Sequence, residues 1–211
     1  MKRNALFLLT NSIFMLFLLT LLPGCNKIID WGKDNFYQGE KVEKDIDIAR
    51  NYLKSQRVYD QFTISGHFDA LWLSDEVRKV YTDIYCKRRS KTDEQKQIFL
   101  RRQLEENNHF ITFYLLSLQH IVLGEAESTW SISLKVGDKS LNPVKIKTID
   151  LSPEYLDIFG KKYNKFKDVY LVYFNAKDVE DNYIINEQTD NITLLFRSVD
   201  KELLLSWDLK K

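Results

Sequence analysis

Hydrophobic positions change period several times along the chain. Ala5 to Leu22 is a near-continuous apolar run, interrupted only by neutral Thr10, Asn11, Ser12 and Thr20. From Lys41 the apolar residues Val42, Ile46, Ala49 and Leu53 recur at helical spacing on a charged stretch, which predicts one helix with a single buried stripe. Gln61 to Ala70 switches to period two. It predicts a strand that buries Phe62, Ile64, Gly66, Phe68 and Ala70 and keeps His67 and Asp69 on a solvated face.

Two helix starts follow. Ser74-Asp75-Glu76 joins a hydroxyl cap to acids at the positive end of the helix dipole, with Val77, Val80, Tyr81 and Ile84 as the apolar stripe. Thr92-Asp93-Glu94-Gln95 has capping-box spacing and opens a helix to about Asn108, with Ile98, Phe99, Leu100 and Leu104 inward. Phe110 to Leu118 and Val169 to Asn175 are apolar on both faces and belong in the middle of a sheet. Trp130 to Val136 alternates, Gly137-Asp138 begins a connection, and Val144 to Lys147 continues the alternation. Ser152-Pro153 starts a short helix that Gly160 ends. Ile192 to Ser198 and Leu203 to Leu209 flank an Asp200-Lys201 turn.

These segments make seven strands, six of them after residue 109. The count predicts a mainly β, α+β domain, an immunoglobulin-like antiparallel β-sandwich with a helical insertion. It also suits a barrel, or an antiparallel sheet with helices on one face.

Lys2 and Arg3 precede the first apolar run, which ends in Leu22-Pro23-Gly24-Cys25. Charge, apolar stretch and small residue is the order of a secretory signal peptide. A membrane-spanning helix competes with that reading, because 18 residues at about 1.5 Å each extend ~27 Å. The cysteine directly after Leu-Pro-Gly resembles the lipobox of bacterial lipoproteins, although Pro23 stands where Ala or Ser is usual. The resemblance implies a diacylglycerol on Cys25, cleavage before it, and Cys25 as the mature N-terminus. Residues 1–24 are then the signal peptide and 25–39 a lipid-anchored tether. Residues 40–211 form a single sandwich domain with an N-terminal helix and a helical insertion at 74–108. Asn26 resembles the outer-membrane class of lipoproteins in a cell with two membranes. Phe113, Trp130, Leu134, Pro143 and Tyr170 give the second half a likeness to β-sandwich domains of bacterial envelope lipoproteins, which lends no activity.

Composition narrows the function classes. Lys and Arg (31) nearly balance Asp and Glu (30), so nothing drives the chain toward nucleic acid. With Cys25 acylated, Cys86 has no partner for an internal disulfide. It points away from the apolar stripe of its helix, toward solvent or a second element. His67, His109 and His120 lack the close spacing of a zinc site. His67-Phe68-Asp69 places an imidazole and a carboxylate about 7 Å apart on one strand face. The chain has no nucleophile elbow and no phosphate loop, so no catalytic residue, metal or cofactor is assigned. Acidic Asp178, Glu180, Asp181, Glu187 and Asp190 lack calcium-loop spacing.

Two basic clusters remain as candidate interaction surfaces. Lys87, Arg88 and Arg89 sit at the junction of the inserted helices, and Lys161, Lys162, Lys165 and Lys167 interleave with Tyr163 and Phe166. Such groups grip anionic polymers or lipid headgroups. The expectation is a non-catalytic envelope protein anchored to a bilayer through Cys25, its helical insertion meeting an envelope protein partner. The alternative is a ligand-binding or hydrolytic envelope protein, with a pocket at one end of the sandwich and His67 or His120 inside.

Overall fold

The computed structural model describes residues 45–210. Cys25, the 1–24 leader and the 25–39 tether lie outside the described residues. Residues 45–50 are helical, and Ile46 and Ala49 are buried as the spacing predicts. Leu53 departs from the prediction. It opens strand β1 (Leu53–Asp60) instead of continuing the helix. Then come β2 (Thr63–Trp72), α1 (Asp75–Arg88), α2 (Asp93–Asn107) and β3 (Phe110–Leu118). Strands β4 (Ser131–Val136), β5 (Lys139–Leu141) and β6 (Lys145–Thr148) precede α3 (Pro153–Phe159). The chain continues through a short 3-10 turn (Gly160–Lys162), β7 (Lys167–Asn175), β8 (Asn191–Arg197) and β9 (Glu202–Asp208).

The strands form two antiparallel sheets, in the orders β1-β2-β3-β7-β6 and β5-β4-β8-β9. The main core lies between them. Phe68 and Ala70 of β2, Phe113 and Leu115 of β3 and Val172 and Phe174 of β7 meet Leu134 of β4, Leu194 and Phe196 of β8 and Trp207 of β9. Trp207 also donates its indole N–H to the Tyr52 carbonyl at 2.7 Å.

Nine strands, two more than expected, are present among the described residues. β1 carries Lys54, Gln56 and Arg57 and lies at a sheet edge, where backbone pairing with β2 replaces the apolar alternation a sequence would reveal. β5 is only three residues long and bears no alternation to read.

A larger difference concerns the outer face of the five-stranded sheet. His67 and Asp69, expected on a solvated face, are buried with Leu71, and so are Thr112 and Leu116 of β3 and Val169 of β7. Helices cover this face. Tyr155 of α3 contacts Tyr114 of β3 with ring centroids 4.4 Å apart, and stacks on Tyr81 of α1 at 4.5 Å. Val77, Val80 and Ile84 of α1 and Ile158 and Phe159 of α3 are buried outside the inter-sheet core, in keeping with a third layer. α1 and α3 thus serve as cover for the outer face that two-sided β3 and β7 require. The outer face of the four-stranded sheet is the wetter one, with Ser131, Lys135, Glu202, Ser206 and Asp208 exposed.

The local signals hold. Ser74 Oγ accepts from the Val77 N–H at 3.4 Å, and Thr92 and Gln95 form the reciprocal capping box. Gly160, at φ +52°, ends α3 in a conformation that favours glycine.

Candidate functional site

The α1–α2 hairpin is held by polar contacts more than by apolar burial. Arg78 of α1 is buried and donates from Nε to Asn107 Oδ1 at 2.6 Å. Its Nη1 donates to Glu106 Oε2 at 2.8 Å and to Gln103 Oε1 at 3.2 Å. Asn107 Nδ2 in turn donates to Asp75 Oδ1 at 2.7 Å. Lys96 pairs with Asp83 at 2.8 Å, and Phe99 stacks on Tyr85 at 4.5 Å. Arg78 follows Val77 of the apolar stripe by one position, so helical spacing does not point to its burial.

No residue of α2 is buried. Phe99, Leu100 and Leu104 are half-buried, but Ile98, expected inward, is 46% exposed. Leu100 and Leu104 line an open groove of about 550 Å³ with Gln97, Arg101, Glu105 and Asp75.

The first basic cluster divides. Arg88 pairs with Asp157 of α3, and Arg89 Nη1 donates to Glu154 Oε1 at 2.7 Å while its guanidinium lies 3.7 Å over the Tyr85 ring. Burial acts to raise the Glu154 pKa, yet the Arg89 hydrogen bond, a backbone N–H and Ser152 outweigh it and hold the carboxyl below its ordinary value. Arg88 and Arg89 are therefore staples between α1 and α3. Lys87 is exposed beside them.

The second cluster divides too. Lys161, Lys162 and Lys165 are exposed, whereas Lys167 begins β7 and is buried. Lys167 Nζ pairs with Asp69 Oδ2 and donates to the Lys162 carbonyl at 2.9 Å. Ser55 of β1 also donates to Asp69, and Lys162 Nζ lies 3.8 Å from it. Lys167 is thus a structural partner of Asp69, a correction to its place among the surface residues.

His67 joins this group, with Nε2 3.5 Å from Asp69 Oδ1. Burial pushes the imidazole below its ordinary 6.5; Asp69 opposes the shift, and Lys167 and Arg57 add to it. The unfolded chain then takes up this proton first. The stability that neutral His67 contributes is complete above its unfolded pKa of about 6.5 and is lost as pH falls through the lower folded pKa. Wild-type urea midpoints should consequently fall more steeply from about pH 7 to about pH 5 than those of His67→Gln. Parallel profiles would reject the linkage.

Cys86 is buried, which decides between the two placements its helix allowed. Burial pushes its thiol up, and the nearby Lys96 and Lys91 charges only partly offset that. His109 and His120 are exposed. Among the described residues, no three His, Cys, Asp or Glu side chains are grouped to hold a metal ion. Nor is any described helix long and apolar enough to cross a membrane.

The end of the sandwich where β2 and β7 finish is acidic and concave. A cavity of about 340 Å³ is lined there by Trp72, Phe110, Tyr183, Asp75 and Glu76. A second opening of about 590 Å³, sharing Tyr183 with the first, is edged by Asp138, Asp178, Glu180 and Asp190. Lys139 pairs with Asp178 at 3.0 Å, and Lys177 with Asp181 at 3.0 Å. The Lys139 hydrogen bond, with backbone N–H groups of Asn182 and Glu180, holds the Asp178 carboxyl below its ordinary range. Neither His67 nor His120 lines these openings or the α2 groove. Comparison of the chain with protein-family models, curated proteins and solved structures gives no match.

Proposed function

We propose that the chain is a non-catalytic bacterial envelope lipoprotein, anchored through acylated Cys25, whose α1–α2 hairpin docks an envelope protein. The N-terminal charge, apolar run and Leu-Pro-Gly-Cys order support the anchor. Two or three acyl chains hold a protein on a bilayer stably, where one is marginal. Asn26 supports the outer membrane in a two-membrane cell. The docking part is carried by one observation: α2 is 15 residues long, buries none of them, and leaves Leu100 and Leu104 along an open groove. Amphipathic partners recognise such a half-apolar, charged helix face.

The sandwich itself reads as immunoglobulin-like. Strand order β2-β3-β7-β6 facing β5-β4-β8-β9 corresponds to A-B-E-D facing C′-C-F-G, with Trp130 buried at the start of the C strand. On this reading β1 is an added edge strand and α1–α2 is inserted between A and B.

A second reading, ligand binding, draws on the 340 Å³ cavity. Its aromatic walls and the Asp75 and Glu76 carboxylates suit a small cationic molecule.

One experiment addresses both halves of the main reading. Cells producing the protein with a photo-cross-linking residue at Leu100 are labelled with palmitate, beside a Cys25→Ala variant. The expected result is palmitate on the first protein, none on the second, and a discrete cross-linked adduct. Labelling retained by Cys25→Ala removes the anchor. An efficiently cross-linked sample without an adduct removes the docking face and favours the cavity.

A further inference from the structure

Exposed apolar side chains gather at the opposite end from the acidic cavity. The register places that end where β2 begins and β3 ends, since Phe68 faces Ser117, and where β7 begins, since Leu118 faces Lys167. The β1–β2 tip lies there, with Asp60 opposite Thr63, and the β8–β9 tip joins it. Lys201 Nζ bridges the two, 3.6 Å from Asp60 and 3.6 Å from Asp200. Phe62 and Val199, one on each tip, are fully exposed, and Phe166 in the loop before β7 is 63% exposed. With Tyr59, Tyr163 and Val122 they make up six of the twelve exposed large apolar side chains among the described residues. Phe62 shares the buried-face periodicity of β2, yet it projects beyond the tight turn at Gln61, whose φ is +51°.

Cations stand among them. Lys161, Lys162 and Lys165 are exposed in the loop that carries Tyr163 and Phe166, and Lys165 Nζ lies 5.3 Å over the Phe166 ring. The acids on the tips, Asp60 and Asp200, face Lys201. Glu125 and Glu127 on the β3–β4 connection share this end, so any anionic contact rests on the tips and the lysine loop, not the whole rim.

We propose that this end of the sandwich docks on a bilayer containing anionic phospholipid, with Phe62, Val199 and Phe166 entering the interface and Lys161, Lys162 and Lys165 meeting headgroup phosphates. Single apolar residues on separate tips fit a fluid interface, where each inserts by itself; a protein partner would call for a continuous apolar patch. Lysines beside interfacial aromatics are drawn to anionic headgroups. The strength required is modest under the proposed Cys25 anchor, on which this part of the argument rests. The 19 residues between Cys25 and the first described residue span at most about 65 Å fully extended, so the domain never leaves the membrane's neighbourhood. Docking by this end would turn the acidic cavity at the other end away from the bilayer.

The test uses full-length protein extracted from membranes and reconstituted in vesicles of phosphatidylcholine, with or without phosphatidylglycerol. A water-soluble amine-acetylating reagent is applied, and labelling at each lysine is read by mass spectrometry. Lys161, Lys162 and Lys165 should react roughly fivefold more slowly with the anionic vesicles than with the neutral ones, while Lys139 at the far end is unchanged. The double variant Phe62→Ser, Phe166→Ser should lose most of that protection. Both positions are exposed, so the fold is retained. Equal labelling in the two vesicle types overturns the proposal, as does protection unaltered in the double variant. Protection that follows protein density instead of anionic lipid means contact between copies and overturns it as well. The reconstituted chain stays on the vesicle whether acyl groups or the apolar 5–22 run hold it. The outcome is therefore separate from palmitate labelling at Cys25.

Discussion

Asp69→Ala should destabilise the domain by about 3–5 kcal/mol, the range for removing one member of a buried ion pair. Asp69 is completely buried on the helix-covered face of β2, and the Lys167 side chain beside it is nearly so. Without the carboxylate, the Lys167 ammonium keeps only the Lys162 carbonyl at 2.9 Å, and the Ser55 hydroxyl loses its acceptor. The cost comes from stranding a desolvated cation, so removing both charges should cost less. Asp69→Leu combined with Lys167→Met is expected to recover most of the loss. Urea unfolding of the wild type and both variants, followed by circular dichroism, measures the difference. An Asp69→Ala midpoint matching wild type would mean that Lys167 reaches water in solution and that the pair contributes little.

Phe68→Ala should cost a similar amount, about 3–5 kcal/mol, through a different mechanism. The Phe68 ring lies between the sheets, stacked on Phe196 at 4.2 Å and edge-on to Trp130 at 5.2 Å. Truncation leaves a void between Trp130 and Phe196, and Trp130 already packs closely against Gly66 on another side. A Cβ built on Gly66 would stand 2.9 Å from the Trp130 ring. A matched control is informative. Phe62 is the same residue type at the same parity of the same alternating stretch, and Phe62→Ala should change stability by less than about 0.5 kcal/mol. A large loss for Phe62→Ala, or a small one for Phe68→Ala, would contradict the placement of the β1–β2 turn.

That pair of phenylalanines shows how far pattern reading extends. Alternation from Phe62 to Ala70 identifies a strand and the residues that share a face. It cannot say where the chain turns away from the sheet, and Thr63 is the first residue of the strand. His67 and Asp69 show the complementary gap. Their parity is correct, and their face is opposite to Phe68, but whether water or protein lies over them depends on Lys167, Lys162 and Ser55, which arrive from other elements. Two-sided β3 and β7 carried the relevant signal, since strands apolar on both faces need cover on both.

The basic clusters divide for the same kind of reason. Sequence proximity grouped Arg88 and Arg89 with Lys87, and Lys167 with Lys161, Lys162 and Lys165. The carboxylates that engage Arg88, Arg89 and Lys167 come from α3 and β2, far away in the chain. What remains outward is Lys87 and the loop lysines, and the meaning of the loop lysines comes from Phe62 and Val199, which no motif connects to them.

By itself the sequence determined what depends on neighbours a few residues away. The caps at Ser74 and Thr92, the Gly160 stop, the central position of β3 and β7 and the inward alternation of β4 follow from helix ends and strand parity. The order at Cys25, which motivates the anchor, is equally local. Only the tertiary structure decided the depth of Asp69, the exposure of Phe62, the duty of each arginine and the gathering of apolar tips at one end. Burial and charge pairing are set by whatever residue arrives across space, and local periodicity carries no record of it.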